Sequence, residues 1–374
     1  MCFEGINTNY VSSKSIISDL KHDDPKLETL LERARSDDGD ALFAGSLVLL
    51  GGFDLAPIDE VEATEWTRRG AVAKHPACAV AYGLHLRSGY APGRAREADR
   101  YVIAGKKWLL DATKDQSQPC ALMLRAVVEE VGLGGFRRSK LNAARLCAAA
   151  AELGDPFGQF RLGQQLEEQS RRSERDSDQN ADAAFRLMRL SAEQGLAAAQ
   201  RTLSIYFQNG FGTDKDSNAA IAWLLKAANQ HHPIAALEIG YWYRAQSEEV
   251  EPDSEEANRF LADMLKWYKV AARSGLPMAE LAIAYCHETG LGVEQNKALA
   301  YATYHALAHR DDRTFVTRSP DKRTMDHVTR RMALLKGEAA NAERDGGRIR
   351  MAWGEDEIVL TETTTSTQKR AGRR

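Results

Sequence analysis

Residues 206–230 read YFQNGFGTDKDSNAAIAWLLKAANQ, a Gly-x-Gly pair at Gly210 and Gly212 followed by Trp223. The pattern returns at 286–308 as CHETGLGVEQNKALAYATYHALA, displaced by 80 positions. A signature written twice in one chain marks an internal repeat, and repeats decide the fold before any local signal does. With Trp223 as the anchor, equivalent positions fall at Trp66, Trp108, Leu146, Leu187, Trp267 and Thr303. The intervals are 42, 38, 41, 36, 44 and 36, a unit of about 36 residues with variable insertions.

Upstream of each anchor lies a second landmark. Ala199, Leu203, Ser204 and Phe207 stand at i, i+4, i+5 and i+8, which is one face of a helix. Gly158, Leu162 and Gly163 repeat it, as do Ala235, Ile239, Gly240 and Tyr243, and Cys78, Tyr82, Gly83 and Leu86. A small residue after the large apolar one lets a neighbouring helix come close. Each unit therefore reads as helix A, a turn, helix B and a short link. The links KHP, GDP, HHP and GLP place proline at or near the next helix start, where a missing N–H costs little.

Gly210 and Gly290 fall just past helix A, where a left-handed C-cap favours a residue without Cβ. The second glycine keeps the turn tight, and Asp216 is placed to cap helix B. A nucleotide-binding loop would need a third glycine and a preceding strand, and both are missing.

These residues resemble the Sel-one-like repeat family, short relatives of the tetratricopeptide repeat. Its pattern runs A-x-x-x-L-G-x-x-Y-x-x-G-x-G-V, a spacer, then A-x-x-W-Y-x-K-A-A-x-x-G. Residues 198–230 and 278–308 match best, 157–197 and 235–277 match in both helices but not in the turn, and 40–77, 78–119 and 120–156 match more loosely. The resemblance implies an all-α, right-handed α-α superhelix (solenoid) of about seven helix-turn-helix repeats. The divisions expected are an irregular segment at 1–25, a capping helix and link at 26–39, the solenoid at 40–312, a helical cap at 313–343 and a flexible tail at 344–374. In two copies EEQSRRSERDSDQNADAAF and QSEEVEPDSEEANRF replace the Gly-x-Gly turn, and they read as long charged loops near 167–185 and 246–260.

Composition agrees with a soluble array. The chain has 374 residues, a net charge of −3 and a pI near 6.3, so nothing global draws it to nucleic acid or anionic membrane. Five cysteines without CxxC spacing indicate a reducing compartment rather than a disulfide framework or zinc site. The start has no basic segment leading into an apolar one, and no apolar run is long enough to span a membrane. A cytoplasmic location is the expectation, without membrane insertion.

Candidates for chemistry are weak. His305 and His309 at i, i+4, with Cys286 and His287 on the partner helix, could share a metal, yet the HExxH glutamate is missing and Cys286 fills an ordinary helix A slot. His231 and His232 precede Pro233 and read as exposed turn residues. No nucleophile elbow, P-loop or paired acid and base appears, so no catalytic residue, metal or cofactor is assigned. The stretch 313–336 carries seven Arg or Lys against two Asp, without the aromatic pattern that would stack on bases, and reads as a solvated helix face.

The resemblance implies that helix A lines a concave surface where exposed side chains recognise a protein or peptide. By helical phase these are Arg87, Gln164, Arg201, Tyr241, Arg244, Tyr285 and Glu288. Tyrosine and arginine bring contact area and hydrogen bonds at modest entropic cost. The function expected is a non-catalytic scaffold or adaptor. A narrower form is an immunity or regulatory protein that binds a cognate toxin or enzyme, since related repeat proteins have that role. The alternative class is a hydrolase or cell-wall-active enzyme built on the same repeats.

Overall fold

Proline opens six helices, at Pro25, Pro76, Pro119, Pro156, Pro233 and Pro277, where its fixed φ suits the first turn and its absent N–H has no intrahelical partner to lose. The computed structural model describes residues 25–53, 57–88, 95–172, 177–309 and 322–344. Among the described residues there are sixteen α-helices, one 3-10 turn and no strand. They are α1 (Pro25–Arg35), α2 (Gly39–Gly51), α3 (Glu60–Val72), α4 (Pro76–Ser88), α5 (Ala98–Ala112), α6 (Pro119–Val131), α7 (Lys140–Glu152) and α8 (Pro156–Arg172). There follow α9 (Ser177–Glu193), α10 (Ala197–Asn209), α11 (Ser217–Asn229), α12 (Pro233–Glu249), α13 (Glu255–Arg273), α14 (Pro277–Thr289), α15 (Lys297–Ala308) and α16 (Lys322–Arg344). The even-numbered helices from α2 to α14 are the A helices and their successors are the B helices, which makes seven pairs. The all-α repeat architecture expected from the sequence is present.

Side-chain caps set where the B helices begin. Asp59, Ser139, Asp216, Ser254 and Asn296 each accept a hydrogen bond from the backbone N–H three residues on, at 2.8–3.2 Å. Gly210 and Gly290 end α10 and α14 in the left-handed conformation, φ 71° and 80°. Gly212 does more than tighten its turn: a Cβ there would fall 2.3 Å from the Ala181 carbonyl oxygen, so the glycine lets the turn seat against the preceding B helix.

The described residues fall into two compact units, one up to Ala236 and one from Leu237 onward. In the first, helices of a pair pack on each other, and α2, α4, α6 and α8 also touch along the row. Gly83 lets α4 pack closely on α5 within its pair, because a Cβ there would sit 2.9 Å from the Ala98 carbonyl oxygen of α5. Of the sequence anchor and the residue after it, the second is the more deeply buried. Trp108, Leu187 and Trp223 are only half-buried, whereas Leu109 and Met188 are fully enclosed and Leu224 is buried. Trp66 and Leu146 are themselves buried, with Thr67 and Cys147 behind them.

The first unit also makes a contact that periodicity alone does not announce. The turn after α2 reaches the links that follow α9 and α11. Gly52 bridges Leu196, Phe53 stacks edge-on to Phe157 at 5.4 Å, and Ile58 N–H donates to the Gln230 carbonyl at 2.8 Å. Gln230 Nε2 donates to the Gly195 carbonyl at 3.0 Å and to Gln200 Oε1 at 2.7 Å, which satisfies a buried amide.

Two expectations need correction. The charged stretches near 167–185 and 246–260 are mostly helix: α8 and α12 run to Arg172 and Glu249, and α9 and α13 begin at Ser177 and Glu255. Ion pairs at i, i+4, such as Arg171–Glu167 and Arg244–Glu248, fit these sequences to helical surfaces. His231 and His232 are half-buried rather than exposed. His232 Nδ1 accepts from Ala235 N–H at 3.3 Å as the cap of α12, and burial first, then Arg201, lowers its pKa to about 4.

In the second unit α13, α14, α15 and α16 stack in succession. Gly240 of α12 lies beneath the Tyr268 ring, where a Cβ would come within 2.4 Å of ring carbons. Val328 and Leu335 of α16 complete a core with Ala284, Ala300 and Tyr304. The segments 1–24 and 345–374, and the part of the basic run at 313–321, lie outside the described residues.

Candidate partner-binding site

Three of the seven residues singled out by helical phase converge. Tyr241 and Arg244 on α12 meet Tyr285 on α14 in a cavity of about 160 Å³. Its other walls are Tyr268 of α13, Met278, Leu281, Ala282 and Cys286 of α14, Leu291, and His327 of α16. The spacing explains the convergence. Met278, Leu281, Ala282 and Tyr285 recur at helical period on α14, and Tyr241 and Arg244 lie one turn apart on α12.

The site mixes aromatic surface with one cation. The Arg244 guanidinium lies 5.4 Å from the Tyr285 ring centroid, and its Nε donates to Glu248 at 3.1 Å. Tyr241 packs edge-on to Tyr268 at 5.6 Å while remaining 42% exposed, and Met278 is 40% exposed. Burial raises the Tyr241 and Tyr268 pKa values, so both phenols stay neutral donors at physiological pH. Burial likewise pushes the Cys286 thiol up to about 11, opposed by Arg244, which leaves it a poor nucleophile.

The other four residues are placed differently. Arg87 is exposed near the end of α4, while Gln164 on α8 and Arg201 on α10 are half-buried, all in the first unit. Glu288 is not an open recognition residue. It is 9% exposed, its carboxylate accepting from Tyr304 Oη at 2.9 Å and from Arg331 of α16, whose Nε lies at 2.9 Å. Helical phase puts Glu288 on the right face, but α16 lies over it. Sequence reasoning misses Tyr268, Met278, Leu281 and His327; the α14 members follow a legible period, whereas His327 comes from a helix with no sequence link to the pocket.

The histidines considered for metal do not form such a site. His305 and His309 stack at 4.0 Å, and His309 Nδ1 lies 2.9 Å from the His305 carbonyl oxygen. Among the described residues no three His, Cys, Asp or Glu side chains are grouped to hold a metal ion. Among the described residues, no helix is long and apolar enough to cross a membrane.

Paired helices in register, with side chains of two successive A helices gathered into a pocket, define an α-helical repeat protein. The particular repeat follows from comparison: residues 156–196, 197–232, 233–262 and 277–308 each match the Sel1 repeat, so these parts of the chain are Sel1 repeats. It is 32% identical over 121 residues to chitin synthase regulatory factor 3 of Schizosaccharomyces pombe, covering 32% of this chain and 12% of that protein. Chitin synthase regulator SKT5 of Malassezia restricta is 30% identical over 34% of this chain and 8% of that one, and its Saccharomyces cerevisiae namesake is 26% identical over 36% and 19%. The chain thus spans under a fifth of the length of these curated relatives. Among solved structures, a Sel1 repeat protein from Oxalobacter formigenes aligns at 22% identity and a TM-score of 0.47 over 80% of this chain and 82% of that one. The protective antigen c5321 of uropathogenic Escherichia coli, described as displaying an SLR fold, aligns at 16% identity and a TM-score of 0.31 over 88% and 99%.

Proposed function

We propose that this protein is a non-catalytic adaptor or regulator that binds another protein through its A-helix side, with the pocket of Tyr241, Arg244 and Tyr285 as an anchor point. The observation that carries the reading is the pocket itself: partly exposed tyrosine and methionine beside a stacked arginine, the side chains that make energetic anchors in protein interfaces. The relatives from Schizosaccharomyces pombe, Malassezia restricta and Saccharomyces cerevisiae are named as regulators of chitin synthase, which supports a regulatory role over turnover. The buried, high-pKa thiol of Cys286 supports the same choice against nucleophilic chemistry in the pocket.

The partner is a protein or peptide, and the place of action is the cytoplasm. A toxin or enzyme held in check by this surface is the narrower form of the same reading. A photo-crosslinking residue at Met278, beside one at the exposed Leu141 of α7, tests it in the source cells. A protein crosslinked from Met278 and not from Leu141 supports the pocket as the anchor. Equal labelling from both positions, or from Leu141 alone, counts against it.

A further inference from the structure

We propose that the pocket between α12 and α14 takes an apolar side chain flanked by carboxylates, presented by a partner polypeptide. This rests on the pocket being the anchor point described above and adds the chemistry of what enters it. Met278, Leu281 and Leu291 give the cavity an apolar lining, and its volume of about 160 Å³ suits a single side chain rather than a cofactor. Charge decides the remainder. Among the described residues that line the cavity none is acidic, while Arg244 and His327 supply nitrogen donors and the tyrosines supply hydroxyls.

Three tyrosines could in principle cage a cation, but Arg244 already lies over the Tyr285 ring and would repel a second positive charge. An anion has the opposite experience. Glu248 accepts from Arg244 at Nε, in a pair whose side chains are 38% and 66% exposed. Such a solvated pair is weak and yields readily to a carboxylate that arrives with an apolar neighbour and excludes water. Tyr241 and Tyr285, on adjacent A helices, stand where the flanking residues of a bound segment would pass.

The test is fluorescence anisotropy with a labelled peptide Glu-Asp-Glu-Ile-Val-Leu. The same sequence stands at residues 355–360 of this chain, so the full-length protein is measured beside a full-length E355Q/D356N/E357Q variant in which that segment carries no acids. Saturable binding to that variant is expected, weakened at least tenfold by Arg244→Gln, by Tyr285→Ala, or by converting the peptide's acids to amides. Circular dichroism of each protein variant should match the parent. If the native sequence binds at least tenfold more weakly than the triple variant, the chain's own acidic segment competes for the site; if equally, the site is open to a partner. The first result would overturn a partner polypeptide as the occupant, and the second supports it. Undiminished binding of the amide peptide, or of the acidic peptide to Arg244→Gln, would overturn the acidic preference while leaving the pocket a binding site. No binding of the peptide to the triple variant would overturn the inference, and the Met278 crosslink would still decide the adaptor reading by itself.

Discussion

Arg331 on α16 holds Glu288 on α14 across 43 residues of chain, donating from Nε and Nη2 to the two carboxylate oxygens. Tyr304 donates to the same carboxylate at 2.9 Å, so a buried anion has three hydrogen bonds and one opposite charge. The arrangement fastens the last described helix to the final repeat. Removing one member strands the other: Arg331→Leu should destabilise the protein by about 3 kcal/mol, the scale for breaking a largely buried pair. Glu288→Gln, which keeps one acceptor for Tyr304, should cost less. Denaturant unfolding of both variants checks the order.

The register of burial gives a second test. Leu109→Ala and Met188→Ala should each cost about 3 kcal/mol or more, since both side chains are fully enclosed. Trp223→Ala should cost less than either despite its size, because its ring is half-buried and partly covered by Lys226 at 3.9 Å. A larger loss at Trp223 would mean that α11 turns Trp223, rather than Leu224, toward the core.

Glu168 lies inside α8, four residues before its end at Arg172. Glu168→Pro should therefore cost about 3 kcal/mol, as proline does in a helix interior. A loop would absorb the change with little loss, so thermal unfolding of this one variant separates the two descriptions of the charged segment.

Acid should weaken the fold through two histidines. Burial lowers His85 to about 4, and burial first, then Arg201, lowers His232 to about 4, against an ordinary value near 6.5. Between those values the unfolded chain binds the proton and the folded chain does not. Stability contributed by each neutral imidazole is therefore present above about pH 6.5, falls as pH drops, and is gone below about pH 4, with a slope approaching 1.4 kcal/mol per pH unit for each group. His85→Gln and His232→Gln should each flatten the dependence of unfolding free energy on pH between 6.5 and 4. An unchanged slope in both would show that neither is held neutral.

The repeats are legible in the sequence because their residues serve local geometry. Gly210, Asp216 and Pro233 mark a cap, a helix start and a link wherever they recur, and seven pairs follow from that punctuation. The charged segments mislead because Glu, Arg, Gln and Ser are common to loops and to solvated helix faces, and only i, i+4 pairing tells them apart. Glu288 misleads for a different reason: its partner lies on a helix outside the repeat, and helical phase says nothing of what covers a face. Tyr241, Arg244 and Tyr285 are legible since phase alone sets them on two adjacent A helices. Tyr268 and His327, which close the same pocket from other elements, are not.

Whether the A-helix pocket holds a protein partner is tested most directly by affinity capture from the source lysate, with the wild-type chain beside Tyr241→Ala/Arg244→Glu of unchanged circular dichroism. The expected result is a protein retained by the wild type and lost by the variant. A protein retained equally by both would contradict the proposed anchor and move recognition away from α12 and α14.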